Sequence, residues 1–545
     1  MERRALLAIL LATVVLIAYQ FLFLGGKNKV PPQVEPRQVR DTTIVLEKIP
    51  PSIQASSRNL FKNHNPGDGK NISFETSVAA CSLSTVDGNI SYWALKKFEG
   101  RNGAPFQFLR PGHGNEPSML LSVGGRNLEF NKTYFSSKES LDQKTGSVRK
   151  VEFYARDAAG IEVKKIFRFT DNDYFVDLEV RISGIPDTVE TASYSLRWSA
   201  GLPYGEENTK IDDGSFASVT LVGDELHREN PQSFKKEPSR EKKGNVMWAG
   251  VRNKYFLAAV VPPSGKVSKV VTFGDPQTKS NGFELTLPLS SGMTVHKYMV
   301  YLGPADYWYL KKFNIGLEKT VDLGWKWVIP FTQLLLKFFV ICYRWIPNYG
   351  LVIIVLSIIS RVVFYPLTKT SFRSMKEMQR VQPEVAALKK KFKDDSQRFN
   401  KEVMALYKKH KVNPFGGCLP LLVQMPVFVA LYSVLMNAIE LRRSEFGLWI
   451  NDLASPDTLF SIAGFPVHIL PLLMTVTMFI QQKLTPTDPR QALMGYIMPV
   501  FMLVIFYSLP SGLVLYWTIT NLMTVIQQYM IHREDKTRKP APVAA

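Results

Sequence analysis

The sequence predicts a polytopic α-helical membrane protein of six spans. An all-β domain follows the first span, and a helical hairpin follows the second. Three observations carry this reading. Apolar residues concentrate at the two ends of the chain, in runs near the ~20 residues that cross ~30 Å of hydrocarbon. Between those ends, segments of alternating apolar and polar residues recur, punctuated by Gly, Pro and Asp. The formal net charge of the 545 residues is +20, and much of the excess lies beside the apolar runs. That placement favours an anionic membrane surface over nucleic acid as the partner of the charge.

Residues 1–24 place Arg3 and Arg4 before one apolar run, which Tyr19, Phe21 and Phe23 continue without a small-x-small cleavage site. The expectation is an uncleaved anchor with its N-terminus inside. Residues 25–56, rich in Pro and charge, read as a linker. Residues 57–322 read as a β-sandwich. In one strand Tyr174, Val176, Leu178, Val180 and Ile182 share a face; in another Ile161, Val163, Phe167 and Phe169 do. Residues 323–348 hold three Trp, with Lys337 and Arg344 seven apart on an otherwise apolar helix. That pattern suits a helix lying in the membrane interface.

Residues 349–531 supply the other five spans, at about 349–367, 415–438, 466–482, 492–509 and 512–531. The insertion 368–413 carries thirteen Lys and Arg, and the tail 532–545 four more. The connection 440–468 sets only Arg442 and Arg443 against four carboxylates. By the positive-inside rule, hairpin and tail are cytoplasmic and the β-domain lies outside. In the hairpin, Val385, Leu388 and Phe392 form one apolar stripe and Phe399, Val403 and Leu406 another. Two short amphipathic helices would therefore pack together, leaving Lys389, Lys390, Lys393 and Lys408 on their outer faces.

The candidate site lies inside the membrane segments. Arg361 is twelve positions after Tyr349, about 18 Å along a helix. A charge at a helix centre costs roughly 2.5–3.5 kcal/mol on insertion scales. Ser357 sits one turn earlier on the same face. In the last span Asn521, Thr524 and Gln528 follow Trp517 at i+4, i+7 and i+11, one polar stripe, and Gln424 and Gln481 add amides from two other spans. No Asp or Glu lies within these spans to neutralise Arg361. Snorkelling to the headgroups is the alternative for Arg361, and interhelical hydrogen bonding for the others. Together they suggest a water-filled cavity whose positive charge is available to something transient and anionic.

Catalytic signatures are missing: no Walker loop, HExxH, GxSxG or CxxC occurs. Cys81, Cys342 and Cys418 have no metal-ligand spacing. The expectation is a non-enzymatic protein with no cofactor and no metal. An ion-coupled transporter is one competing class, but the sequence shows neither internal repeats nor a membrane acid. A membrane-anchored sugar-binding protein is another, resting on the β-sandwich alone.

The segments YPLTKTSFRSMKEMQRVQPEV, KEVMALYKKHKVNPFGGCLPLLVQMPVFVALY, ELRRSEFGLWINDLASPD, FPVHILPLLMTVTMFIQQKL and LPSGLVLYWTITNLMTVIQQ resemble the YidC family of membrane protein insertases. The likeness is dense over residues 325–533, and the long β-domain resembles the Gram-negative form. The resemblance implies a periplasmic β-supersandwich, a five-span insertase core and an inner-membrane location. It also implies a hydrophilic groove open to cytoplasm and lipid, with Arg361 as its arginine. The implied partners are nascent membrane proteins, the Sec translocon, the lipid bilayer and the ribosome. Ribosome contact is expected to be weak because the tail is short, and no specific nucleic acid is expected.

Overall fold

The computed structural model describes residues 69–537, except 110–113, 131–132, 143–147, 158–159, 188, 190–191, 393–394, 411, 413–418, 463–464 and 485–491. The expected anchor (1–24), linker (25–56) and most of the tail lie outside the described residues. The β-domain holds three antiparallel sheets of four, nine and six strands. In the nine-stranded sheet, Phe175–Ile185 runs between Gly292–Pro304 and Glu162–Phe169, with Val176 opposite Val300 and Leu178 opposite Tyr298. Val246–Arg252 of this sheet packs on Ser280–Pro288 of the six-stranded one. The apolar residues between them form one continuous core. Val176, Leu178, Val180 and Ile182 are buried, as are Ile161, Val163, Phe167 and Phe169, so the expected strand faces hold.

One residue of that second face breaks the apolar pattern. Lys165 is 1 % exposed. Its Nζ donates to Asp87 O (2.8 Å) and Asn89 Oδ1 (2.7 Å) and lies 5.2 Å from the centre of the Phe135 ring. Burial pushes the Lys165 ammonium down to about 7. The unfolded chain then binds more protons than the folded one between that value and the ordinary 10.5. Stability should therefore rise with pH across this window and be lost as pH falls back through it. Lys165→Met should flatten that slope, read as the urea midpoint of the near-ultraviolet circular dichroism of the intact chain from pH 7 to 10. An unchanged slope in the variant would assign the pH dependence to other groups.

Helices follow the β-domain. The first, α1 (Ile329–Tyr343), is shorter than the 323–348 expected, because Trp325 and Trp327 lie in the turn before it. Lys337 and Arg344 share its exposed face with Leu334 and Ile341, as the seven-residue spacing requires. Next come α2 (Tyr349–Val363) and α3 (Tyr365–Arg380), bent 59° to each other. The bend has a local cause. Pro366 has no N–H to offer the Val362 carbonyl, so the ladder breaks at Phe364 and a new helix starts. Helix α3 begins three residues before the expected hairpin boundary at 368 and continues into the polar region.

The hairpin helices are α4 (Gln382–Lys391) and α5 (Ser396–Lys409). Asp395 caps α5 by accepting from Arg398 N at 2.9 Å. Val381, Val385 and Val412 are buried against Met378, Phe399, Val403, Leu406 and Tyr407, so of the first stripe Val385 alone packs with the second. Leu388 and Phe392 are only half-buried and are not part of this cluster; the Phe392 ring instead lies under the cations of Lys391 and Arg398.

The remaining helices are α6 (Leu419–Asn437), α7 (Ile469–Leu484), α8 (Ala492–Phe506) and α9 (Ser511–Thr537). Helix α9 runs six residues past the expected end at 531, since His532 to Thr537 includes no Gly or Pro to stop it. No single described helix is long and apolar enough to cross a membrane, whereas α2 and α3 pass that test together.

The β-domain docks on the helical half through Arg442 and Arg443, read from sequence only as a sparse pair of outer cations. Arg442 Nε lies 2.6 Å from Glu206 Oε1, with the two side chains 5 % and 12 % exposed. Its Nη2 donates to Glu99 O (2.7 Å) and Gly205 O (3.1 Å), and its guanidinium lies over Phe256 at 5.2 Å. Arg443 Nη2 donates to Gly100 O (2.8 Å), and its Nη1 reaches Glu99 Oε2 at 3.3 Å. Breaking one partner of a buried ion pair costs about 3–5 kcal/mol. Replacing both arginines by Ala should therefore broaden the distance distribution between spin labels on the β-domain and on α6. A distribution as narrow as that of the unsubstituted chain would assign the docking to apolar contacts alone.

Candidate substrate groove

Helix α2 is fixed at its N-terminal end by Asn348. The Asn348 Oδ1 accepts from Leu351 N at 3.0 Å and its Nδ2 donates to Phe446 O at 2.9 Å. Helix α9 packs along α2 and α7. The tie between α2, α6 and α9 is Tyr516, fully buried: its hydroxyl accepts from Gln424 Nε2 (3.0 Å) and pairs with Ser360 Oγ (3.2 Å). Lower down, Gln527 Nε2 donates to Arg361 O at 3.2 Å. Polar atoms thus join the helices where apolar packing alone gives little direction.

Beside this junction lies a cavity of about 230 Å³. Its walls come from α2 and α3 (Arg361, Thr368, Ser371, Phe372, Met375), α6 (Pro420, Gln424), α7 (Gln481, Gln482) and α9 (Trp517, Thr520, Asn521, Thr524, Gln528). Six of the seven groove residues singled out from sequence line it together: Arg361, Gln424, Trp517, Asn521, Thr524 and Gln528. Ser357 does not. It is fully buried one turn further out, and its hydroxyl donates to Ile353 O at 2.7 Å within its own helix. A serine can satisfy itself against the carbonyl four residues back, so a shared face did not make it part of the cavity.

The electrostatic character of the cavity follows from its unsatisfied atoms. Arg361 Nε, Trp517 Nε1 and Asn521 Nδ2 are buried and meet no hydrogen-bond partner among the described residues. All three are donors. Arg361 makes no ion pair among the described residues either. The Trp517 ring is wedged between Phe428 (5.2 Å) and Phe506 (5.3 Å), so its N–H cannot swing away to find a partner elsewhere. Thr524 Oγ1 donates to Thr520 O (2.7 Å). The wall can therefore receive water, a carbonyl or a carboxylate.

Tyr516, Gln482 and the polar residues of α3 were missed as site residues, whereas Gln481, read from sequence as a membrane amide, does line the cavity. Their signal was present but weak: Tyr516 adjoins Trp517, yet it points to the other side of α9. Of the hairpin lysines, Lys389, Lys390 and Lys408 are exposed, far along the chain from the cavity, and Lys393 lies outside the described residues.

Comparison with known proteins gives consistent results. Residues 341–539 match the family model described as 60Kd inner membrane protein, and residues 71–336 the YidC periplasmic domain. The membrane protein insertase YidC of Geotalea daltonii is 34 % identical over 549 residues, covering 98 % of this chain and 99 % of that protein. That of Pelobacter propionicus is 35 % identical over 555 residues, with 98 % and 99 % covered. A solved structure described as an active YidC insertase with the first transmembrane domain resolved is 21 % identical, with a TM-score of 0.37 over 84 % of this chain and 92 % of that one. With relatives of this similarity matched from end to end, this chain belongs to the YidC family of membrane protein insertases.

Proposed function

We propose that this inner-membrane insertase moves the hydrophilic outer tail of a nascent membrane protein through the cavity beside Arg361, while the adjoining apolar segment leaves sideways into lipid. The observation that supports this reading is the set of three buried donors on residues that line one cavity, with no acid among the described residues of the lining. A buried donor left unpaired costs about 1–3 kcal/mol. A passing carboxylate or carbonyl relieves that cost and is released again, because no permanent counter-ion competes for it. A polar station partway across also shortens the apolar path that a charged tail must cross. Entry of the apolar segment into lipid is downhill, so the cycle needs neither cofactor nor covalent chemistry.

In this reading the chain has six spans with both termini cytoplasmic. Spans 2 to 6 form the core, α4 and α5 the cytoplasmic hairpin, and α1 an interfacial helix on the periplasmic side. The 59° bend between α2 and α3 delivers the chain from the membrane to the hairpin. The protein acts alone or beside the Sec translocon, and ribosome contact is weak.

Arg361→Ala should lower the insertion rate of short substrates with acidic outer tails by about tenfold or more, the scale of one charge-assisted hydrogen bond. Arg361→Lys should be milder, and substrates with neutral tails should be spared. Protease protection in proteoliposomes at matched protein levels measures this. If Ala matches the unsubstituted chain, snorkelling is the better account of Arg361.

The exposed cations of the hairpin make it a receiving platform for nascent chains or the ribosome, with an attraction screened beyond about 8 Å at physiological salt. Replacing Lys389, Lys390 and Lys408 together by Glu should reduce crosslinks from the hairpin to ribosome-bound nascent chains at unchanged topology, and insertion with them. Crosslinks and insertion that both persist would leave the hairpin only a topological role.

A further inference from the structure

A second cavity, of about 300 Å³, lies where the β-domain meets α1. We infer that it holds the phosphoethanolamine headgroup of a phospholipid in the periplasmic leaflet. This rests on reading α1 as an interfacial helix, but not on the role given to Arg361.

The charges of the lining are two cations, Arg228 and Lys319, and two carboxylates, Glu318 and Asp322. The cavity is bipolar and neutral overall, which matches a zwitterion and disfavours a ligand of one sign. Arg228 is held in place by Thr320 O, which accepts from its Nη2 at 2.8 Å, while its Nη1 stands 3.4 Å from Asp322 Oδ2. That loose pair leaves capacity on both groups. Glu318 and Lys319 make no ion pair among the described residues, and Glu318 Oε2 has no hydrogen-bond partner among them. Lys319 is exposed, and its Nζ reaches only Asp224 O, at 3.4 Å. Neutral donors and acceptors complete the wall: Gln333 Nε2 donates to Tyr307 OH at 2.7 Å, bridging α1 to the β-domain.

The position of the cavity selects a lipid over a soluble zwitterion. Ile329 and Gln333, one turn apart on α1, line it. On the same helix the exposed face carries Phe331, Leu334 and Ile341, the second of them 69 % exposed. Trp325 and Trp327, both largely exposed and stacked at 6.1 Å, stand at the start of this strip. Such residues are at home at the headgroup boundary. A headgroup in the cavity would thus sit next to Trp325, one residue past the lining Gly324, with the apolar strip around the far side of α1 for acyl chains. A primary ammonium donates hydrogen bonds to Glu318 and Asp322, which the quaternary ammonium of choline cannot do. A phosphoglycerol headgroup has no cation to meet these carboxylates, so both alternatives should bind worse.

The test uses the intact chain, delipidated in detergent and titrated with dihexanoyl phosphatidylethanolamine below its critical micelle concentration, followed by calorimetry. The expected result is saturable binding at one site, weakened at least tenfold by Glu318→Gln and by Lys319→Met. Dihexanoyl phosphatidylcholine, dihexanoyl phosphatidylglycerol and glycerophosphoethanolamine should each bind at least tenfold more weakly. Near-ultraviolet circular dichroism verifies the fold of each variant, and exposed Lys319 provides an independent test should Glu318→Gln not fold. Equal binding of the glycerol or choline lipid overturns the headgroup assignment. Equal binding of glycerophosphoethanolamine overturns the lipid, and unchanged affinity in the folded variants overturns the site.

Discussion

A guanidinium placed among apolar helices must be paired, hydrated or carried to the interface, and most features of the helical half follow from how Arg361 meets that demand. No carboxylate among the described residues pairs with it, and its Nε is buried without a partner. The surrounding helices therefore supply a polar cavity instead of a counter-ion. That choice explains why Gln424 of α6 and Thr520, Asn521 and Thr524 of α9 are buried polar residues on the side the two helices share rather than leucines. It also fits the three buried donors: N–H groups with no fixed acceptor among the described residues can be met by water, whereas a salt bridge would hold Arg361 permanently.

A cavity of this kind weakens the bundle that contains it, so the helices need directional ties elsewhere. Tyr516 provides one by joining Ser360 and Gln424 just beyond the cavity wall, and Gln527 provides another by bonding the Arg361 carbonyl. At the N-terminal end Asn348 caps α2 and grips Phe446 O at once. These contacts hold α2, α6 and α9 in register while the polar interior stays open to exchange.

The β-domain joins this bundle by a small, strongly polar contact and one helix. Arg442 and Arg443 clasp Glu99, Gly100, Gly205 and Glu206, and Gln333 reaches Tyr307 across the junction. Desolvated charge pairs of this sort set orientation more than affinity. The second cavity lies at the same junction, so the geometry of the docking also shapes what the junction can hold.

Periodicity is a local property, and what depended on it could be read directly. The Trp517, Asn521, Thr524 and Gln528 stripe needed only 3.6 residues per turn to be recognised, and the Val176 to Ile182 face only an alternation of two. The hairpin stripes and the Lys337–Arg344 face are of the same kind. What the sequence left open depended on partners distant along the chain. Arg442 and Glu206 are 236 positions apart, and nothing in either neighbourhood announces the other. Lys165 interrupts an apolar face for a reason visible only once Asp87 and Asn89 are folded beside it. Ser357 shares the face of Arg361 but bonds to its own helix, and Tyr516 faces away from the stripe yet ties three helices together. Helical and strand spacing therefore determined which faces are polar or buried. Only tertiary packing decided which polar atoms find partners within the fold and which do not.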